Sequence, residues 1–128
     1  MMLKNAKAFS SFAVNDIAQA KDFYQNMLGL TVKDNPMGII ELNLDGTSNI
    51  MIYPKPNHEP ATFTVLNFRV ANIDDAVDGL IKKGITFEQY DEAYLKTDEK
   101  GIFKGDKGPH IAWFKDPSGN ILSVLEEK

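Results

Sequence analysis

Hydrophobic positions follow a helical period in two segments of the chain, Ile17 to Leu28 and Ile73 to Ile81. Each segment begins after a residue that commonly caps helices and ends at a glycine, which suits the left-handed position at a helix end. The caps are Asp16 and Asn72, and the glycines are Gly29 and Gly84. The pattern therefore predicts two amphipathic helices.

Shorter apolar or alternating runs predict strands around both helices. In the first half they are Phe12 to Val14, Leu30 to Val32, Ile39 to Leu44 and Asn49 to Tyr53, and in the second half they include Phe63 to Val70 and His110 to Phe114. A turn signal, Asp45-Gly46, lies between two of these runs. The first half is thus predicted to be β-α-β-β-β.

The two halves form an internal repeat. Phe12, Val14, Ile17 and Ala20 match Phe68, Val70, Ile73 and Ala76 at a constant offset of 56 residues, whereas Gly29 matches Gly84 with one residue deleted. Asp45-Gly46 matches Asp116-Pro117 at an offset of 71. We predict a single domain over residues 1–128, with repeat one at about 7–54, a Pro-rich connector at 55–61 and repeat two at about 62–127.

Composition narrows the classes of function. The chain of 128 residues is 43% hydrophobic and 25% charged, as in globular proteins, and has no apolar run long enough to cross a bilayer. A net charge of -4 argues against nucleic acid as a partner. The absence of cysteine and of an apolar leader favours a cytoplasmic location.

Four strings resemble the vicinal oxygen chelate superfamily, the group of glyoxalase I, bleomycin resistance proteins and extradiol dioxygenases. They are Phe12 to Ile17, Ala20 to Tyr24, Leu28 to Leu30 and Asp116 to Leu122. The resemblance implies an α+β fold in which two βαβββ repeats pair into an eight-stranded, open, barrel-like cleft with the helices outside. It also implies a homodimer and, in the enzymes of the group, a divalent metal held by His, Gln or Glu in the cleft.

The positions that the resemblance assigns to metal ligands are occupied here by Phe9, Met51, Val65 and Ser123. None of these side chains is a ligand for a hard cation, and a shift of one residue in either direction still supplies no His or carboxylate. We therefore expect no metal and no cofactor. The alternative is an unconventional site built from His58, His110 and an acidic residue.

Strand alternation predicts which side chains face the cleft. They are Phe9, Ser11, Ala13, Met51, Tyr53, Val65, Asn67, Arg69, Ser123 and Leu125. This mixture of apolar and hydrogen-bonding groups is typical of a small-molecule site, and its alternative is a filled interior.

Four further residues are candidates for chemistry or ligand contact. Glu41 could act as a general base and Arg69 could bind a carboxylate, unless they pair with each other or lie in water at the rim. Trp113 could contact ligand, core or dimer partner. His110 begins a strand and could enter the cleft as an acid or base, or could be structural.

A long segment from Gln89 to Gly108 lies between the helix of the second half and its next predicted strand. We predict that it is without regular structure, as either a lid that covers the ligand with Tyr94 or Phe103 or a surface loop.

Three functions follow from these observations. The first is a metal-independent binder of a small apolar or aromatic molecule. The second is a metal-independent lyase or isomerase that acts on a carbonyl-type substrate with His110 or Glu41. The third is a dimerisation module whose cleft is plugged by its own side chains.

Overall fold

The chain folds as two units with the same order of elements. In each unit a strand is followed by a helix and then by three strands that join the first strand in one sheet. The computed structural model describes residues 2–105 and 108–127. One unit ends at His58 and the other begins at Glu59, so the boundary lies in the predicted connector.

The first unit contains one four-stranded sheet. Its elements are β1 (Ser11–Val14), α1 (Ile17–Asp22), β2 (Thr31–Asp34), β3 (Ile40–Asn43) and β4 (Ile50–Pro54). The strand order is β1-β4-β3-β2, with β1 parallel to β4 and the other pairs antiparallel.

The first helix changes its hydrogen-bonding pattern half-way. After α1, Phe23–Met27 form a π-helical turn, in which the Leu28 N–H donates to the Phe23 carbonyl at 3.0 Å. An i to i+5 bond takes up one residue more per turn than the α-helical bond. The π turn therefore accommodates the one residue by which this helix exceeds its counterpart in the repeat.

Both predicted helix starts and stops are confirmed. The Asp16 carboxylate accepts a hydrogen bond from the Gln19 N–H at 3.0 Å, and the Asn72 side chain does the same for the Asp75 N–H. At the other ends, Gly29 has φ 74° and Gly84 has φ 100°, values that L side chains rarely adopt.

One face of the first sheet packs against this helix, and the other face is free of helix. Val14, Ile52 and Leu42 are fully buried on the packed face, while Phe12 reaches Tyr24 with ring centroids 6.2 Å apart. By alternation, Ser11, Ala13, Glu41, Met51 and Tyr53 lie on the opposite face. We call this opposite face the helix-free face.

The second unit repeats this topology with an insertion. Its elements are β5 (Thr64–Arg69), α2 (Ile73–Lys82), β6 (Asp91–Glu92), β7 (Leu95–Lys96), β8 (Ile102–Phe103), β9 (His110–Lys115) and β10 (Ile121–Glu126). The main sheet has the order β5-β10-β9-β8, which corresponds to that of the first sheet, and β6 and β7 form a separate hairpin.

The core of the second unit lies between its sheet and α2. Ile73 and Val77 of α2 are buried, as are Leu122, Val124 and Phe114 of the strands. The Glu126 carboxylate accepts a hydrogen bond at 2.7 Å from the Ile73 N–H, which ties the end of β10 to the first turn of α2.

The prediction of an unstructured segment between Gln89 and Gly108 is wrong for its described part. The segment contains the β6–β7 hairpin and β8, whose Ile102 is buried and pairs with Ala112. Tyr94, at the hairpin, is exposed, and Phe103 is half-buried in β8. Residues 106 and 107 of the predicted lid lie outside the described residues.

Three loops share one hydrogen-bond pattern, a type I turn followed by a glycine in the left-handed region. In each loop the first N–H donates to the fifth carbonyl, the fourth N–H donates to the first carbonyl, and the first side chain accepts from the third N–H. The loops are Asn35 to Ile39, Asp98 to Ile102 and Asp116 to Asn120. The β9–β10 loop, Asp116 to Asn120, contains the Asp-Pro-Ser-Gly-Asn string noted in the sequence.

The architecture confirms the predicted α+β class with two βαβββ repeats. Each sheet is open, so the strands do not close into a barrel. Among the described residues, no helix has both the length and the apolar character needed to cross a membrane.

Candidate functional site

A depression of about 470 Å³ lies beside Phe9 in the first unit. It is lined by Lys7, Ala8, Phe9, Glu41, Thr47, Ser48, Asn49 and Met51. We call it the Phe9 depression. Its volume falls within the range of about 300–1,000 Å³ typical of small-molecule sites.

Two local features of the chain build this depression. Residues 7–10 continue the line of β1, and the Ser10 carbonyl accepts a hydrogen bond from the Met51 N–H at 3.0 Å, which fixes Phe9 beside β4. On the other side, the β3–β4 hairpin turns at Gly46 and places Asn49 so that its amide donates to Glu41 Oε1 at 3.1 Å.

The depression combines apolar and charged groups. Met51 is half-buried and lies between Ser11 and Glu41 in the sheet register, while the Phe9 side chain is 66% exposed. Glu41 is also half-buried, and the structure shows no ion pair between it and any other described residue. A carboxylate without an ion-pair partner among the described residues therefore borders an apolar floor.

The predicted site residues of the first unit do not all line the depression. Phe9, Met51 and Glu41 do so. Ser11 is paired with Met51 on the same face, and Tyr53 is 38% exposed one alternation further along β4, but both lie outside the depression. Sequence reasoning missed the other lining residues, which are Lys7, Ala8, Thr47, Ser48 and Asn49. The Asp45-Gly46 turn signal indicated where the hairpin would bend and could have identified Asn49.

The helix-free face of the second sheet carries the other predicted contacts. Ser123 is fully buried and donates a short hydrogen bond to the Asn67 side-chain oxygen, and Trp113 is its partner across the β9–β10 register. Val65 is half-buried on the same strand as Asn67. Ser123 is therefore engaged within its own sheet and is not a solvent-accessible ligand group.

Arg69 and Trp113 each have a partner in the second unit. Arg69 pairs with Glu127, so the guanidinium that could bind a carboxylate ligand is engaged by a carboxylate of its own chain. The Trp113 ring meets Tyr90 edge to face at 5.5 Å. Burial raises the pKa of the Tyr90 hydroxyl, and the nearby carboxylates of Glu88 and Glu92 add to the rise.

His110 does not share a face with the other candidates of its sheet. By strand alternation it lies on the same face as Ala112 and Phe114, which are buried on the side of α2. Its register partner in β10 is Glu126. Trp113, in contrast, lies on the helix-free face. The strand register therefore places His110 and Trp113 on opposite faces of the second sheet.

Comparison with known proteins identifies the family. The model described as Glyoxalase/Bleomycin resistance protein/Dioxygenase superfamily matches residues 8–124. The chain belongs to this superfamily. No curated protein sequence matches it.

Solved structures of the superfamily share the fold over almost the whole chain. A glyoxalase family protein from Bacillus anthracis is 23% identical with a TM-score of 0.68, and the match covers 99% of this chain and 100% of that one. A glyoxalase family protein from Enterococcus faecalis is 22% identical with a TM-score of 0.67, covering 98% and 100%. TnmS3, an antibiotic binding protein from Streptomyces sp. CB03234, is 17% identical with a TM-score of 0.65, covering 97% and 98%.

The residues at the positions that the resemblance assigns to metal ligands do not fit a divalent metal. Phe9 and Val65 have no donor atom, Met51 offers only a thioether, and the Ser123 hydroxyl already donates to Asn67. Nickel, zinc and iron(II) require imidazole, carboxylate or thiolate donors. Within residues 2–105 and 108–127, no group of three or more His, Asp or Glu side chains is arranged to hold such an ion.

Proposed function

We propose that the protein binds a small molecule with an apolar or aromatic part at the Phe9 depression, without a metal ion. The observation that carries the proposal is the depression itself, which has the volume of a ligand site and an apolar floor of Phe9 and Met51, two residues at positions that the resemblance assigns to metal ligands. An antibiotic binding protein with the same fold supports a binding function, although its identity to this chain is low.

Contact with Phe9 and Met51 would supply most of the affinity. An exposed phenyl ring that a ligand covers loses water-accessible apolar surface, which contributes roughly 25 cal/mol for each Å² buried. Polar groups at the rim, such as Thr47, Ser48 and Asn49, would orient the ligand. The Trp113 and Asn67 surface of the second sheet stays a predicted additional contact.

Binding is favoured over acid–base catalysis by the placement of the two catalytic candidates. Glu41 lines the depression, and the residues that line it do not include His110. An acid–base mechanism needs two groups in a fixed relative geometry, and the described residues offer Glu41 with only the amide of Asn49 bonded to it. A plugged dimerisation module is disfavoured because the Phe9 depression is open.

Native mass spectrometry of gently purified protein tests the proposal first, because one spectrum reports subunit number, metal and any bound organic molecule. We expect a homodimer without a transition metal, either bare or carrying a bound organic molecule. The proposed cytoplasmic location is a separate expectation that this spectrum does not address. A dimer with one metal ion per chain would overturn the metal-free proposal.

A pair of matched variants then locates the site. Phe9 and Phe63 are 66% and 67% exposed, and only Phe9 lines the depression. Phe9→Ser should weaken binding of a compound found by thermal-shift screening about 10-fold, which is roughly 1.4 kcal/mol. Phe63→Ser should leave binding unchanged. Equal effects of the two variants would move the site away from the Phe9 depression.

A further inference from the structure

Glu41 gives the Phe9 depression a single well-placed negative charge. Glu41 as a residue is half-buried and is the register partner of Met51, and its Oε1 accepts a hydrogen bond from the amide of Asn49 at 3.1 Å. The structure shows no hydrogen-bond donor on the second oxygen, Oε2, from the described residues. One carboxylate oxygen is therefore positioned by the protein while the other stays available to a ligand.

Two lysines lie near Glu41 without neutralising it. Lys33 is its partner across the β2–β3 register, and Lys7 lines the same depression, yet the described residues contain no ion pair between Glu41 and either lysine. Both lysines are exposed, so water and salt screen their charges. Glu41 is the carboxylate that lines the depression, and it has no ion-pair partner among the described residues.

We propose that the ligand is an organic cation, an ammonium or similar group on an apolar or aromatic body, with Glu41 as the group that selects it. This inference rests on the proposed binding function and names the ligand class of that same site. The cation would donate to Oε2 in a charge-assisted hydrogen bond, which is stronger than a neutral one. The apolar body would lie on Met51 and Phe9, whose ring face can also attract a nearby cation.

The electrostatics of the whole chain act in the same direction. The net charge of -4 raises the local concentration of cations and lowers that of anions near the protein. An anionic ligand would meet both this field and the Glu41 carboxylate, and a neutral ligand would gain nothing from either.

Three probes of similar size test the inference, namely phenethylamine, phenethyl alcohol and phenylpropionate. They carry a positive, a zero and a negative charge on nearly the same apolar body. Titration followed by amide NMR shifts should show that the amine binds about 10-fold to 100-fold more tightly than the alcohol, with phenylpropionate weakest. Added salt should narrow the difference.

Glu41→Gln and Lys33→Gln separate selection by the carboxylate from general charge effects. Glu41→Gln should bring the amine and the alcohol to within a few-fold of each other, whereas Lys33→Gln should leave the amine's advantage intact or increase it. Thermal unfolding of each variant establishes that it is folded. An amine preference that survives in Glu41→Gln would overturn the role of Glu41.

The outcomes distinguish this inference from the proposed function on which it rests. If the three probes bind the wild-type protein equally well, the binding function stands and the selection of a cation is wrong. If none binds at millimolar concentration while Phe9→Ser also leaves the thermal-shift ligands unaffected, the proposed site itself is wrong.

Discussion

The β9–β10 loop should be the most sensitive of the three loops that share one hydrogen-bond pattern. The Asp116 carboxylate accepts hydrogen bonds at 2.9 Å from the Ser118 N–H, the Asn120 N–H and the Asn120 side-chain amide. Asp116 and Asn120 are only 4% and 2% exposed. Replacing Asp116 with alanine thus leaves at least three donors that water cannot easily reach.

The expected loss follows from the number of donors left unsatisfied. A buried donor without a partner costs about 1–3 kcal/mol, so the lower end for three donors is about 3 kcal/mol of unfolding free energy for Asp116→Ala. For a chain of this size that corresponds to a melting temperature lower by about 12 °C.

The other two loops serve as internal controls. Among the described residues, Asp98 accepts only from the N–H groups of Lys100 and Ile102. It is half-buried, so water can replace the carboxylate and the loss should be about 1 kcal/mol. Asn35 accepts from the Met37 N–H alone, in an exposed bond, and Asn35→Ala should cost no more than that.

Thermal denaturation followed by circular dichroism, on wild-type protein and the three alanine variants, measures this ranking. Asp116→Asn should recover part of the loss, because its oxygen can still accept the two backbone bonds while its NH₂ faces the amide of Asn120 unfavourably. A loss for Asp98→Ala equal to that of Asp116→Ala would refute the argument, because burial and the third donor would then have no effect.

Two further predictions concern the first helix and the alkaline limb of stability. Deleting the exposed Gln25 should convert the π turn to α-helical bonding and lower the melting temperature only slightly. Deleting the exposed Gly79 should lower it more, because the deletion rotates the end of α2 by about 100°. Equal losses of melting temperature would contradict this. Hydrogen bonds to Asp78, and secondarily to Asp74, raise the pKa of Lys100 against the opposing effect of burial, and that of Tyr90 is raised by burial. Stability that these groups contribute is present below their ordinary pKa values of 10.5 and 10.0 and is lost as pH rises above them. Lys100→Gln should flatten that alkaline decline, and an unchanged slope would contradict the reasoning.

The first helix shows how far the sequence pattern reaches. Its period predicted a helix from Ile17 to Leu28, and the structure has one over almost that span, with a π turn at its end. The spacing from Asp16 to Gly29 exceeds that from Asn72 to Gly84 by one residue. That difference was visible in the sequence, but it does not say whether a loop, a bulge or the helix takes up the residue. In the structure the helix takes up the residue, in a π turn whose Phe23 and Tyr24 are buried.

The segment after α2 was misread because its strands are short. β6, β7 and β8 have two residues each, which is too few for alternation to be recognised. The turn that leads into β8 was nevertheless encoded, since Asp98 and Gly101 have the same spacing as Asp116 and Gly119. Turn chemistry would have been the better guide here than hydrophobic period.

Of the residues that line the Phe9 depression, alternation predicted Phe9 and Met51. It placed Met51 on the helix-free face correctly, because Ile50 and Ile52 are buried on the other. The same rule applied to β9 separates His110 from Trp113, so both could not have faced one surface. The volume of the Phe9 depression was beyond prediction, because it depends on how residues 7–10 and the β3–β4 hairpin lie beside each other.

The pairing of β1 with β4 brings together two of the positions that the resemblance assigns to metal ligands. β1 and β4 are the first and last strands of the repeat and are neighbours in the sheet. Here the same pairing brings Phe9 and Met51 to one depression. Coordination binds oxygen atoms of a substrate, whereas a phenyl ring and a thioether bind apolar surface. On the binding proposal, ligand choice must therefore come from apolar area and from the charge of Glu41.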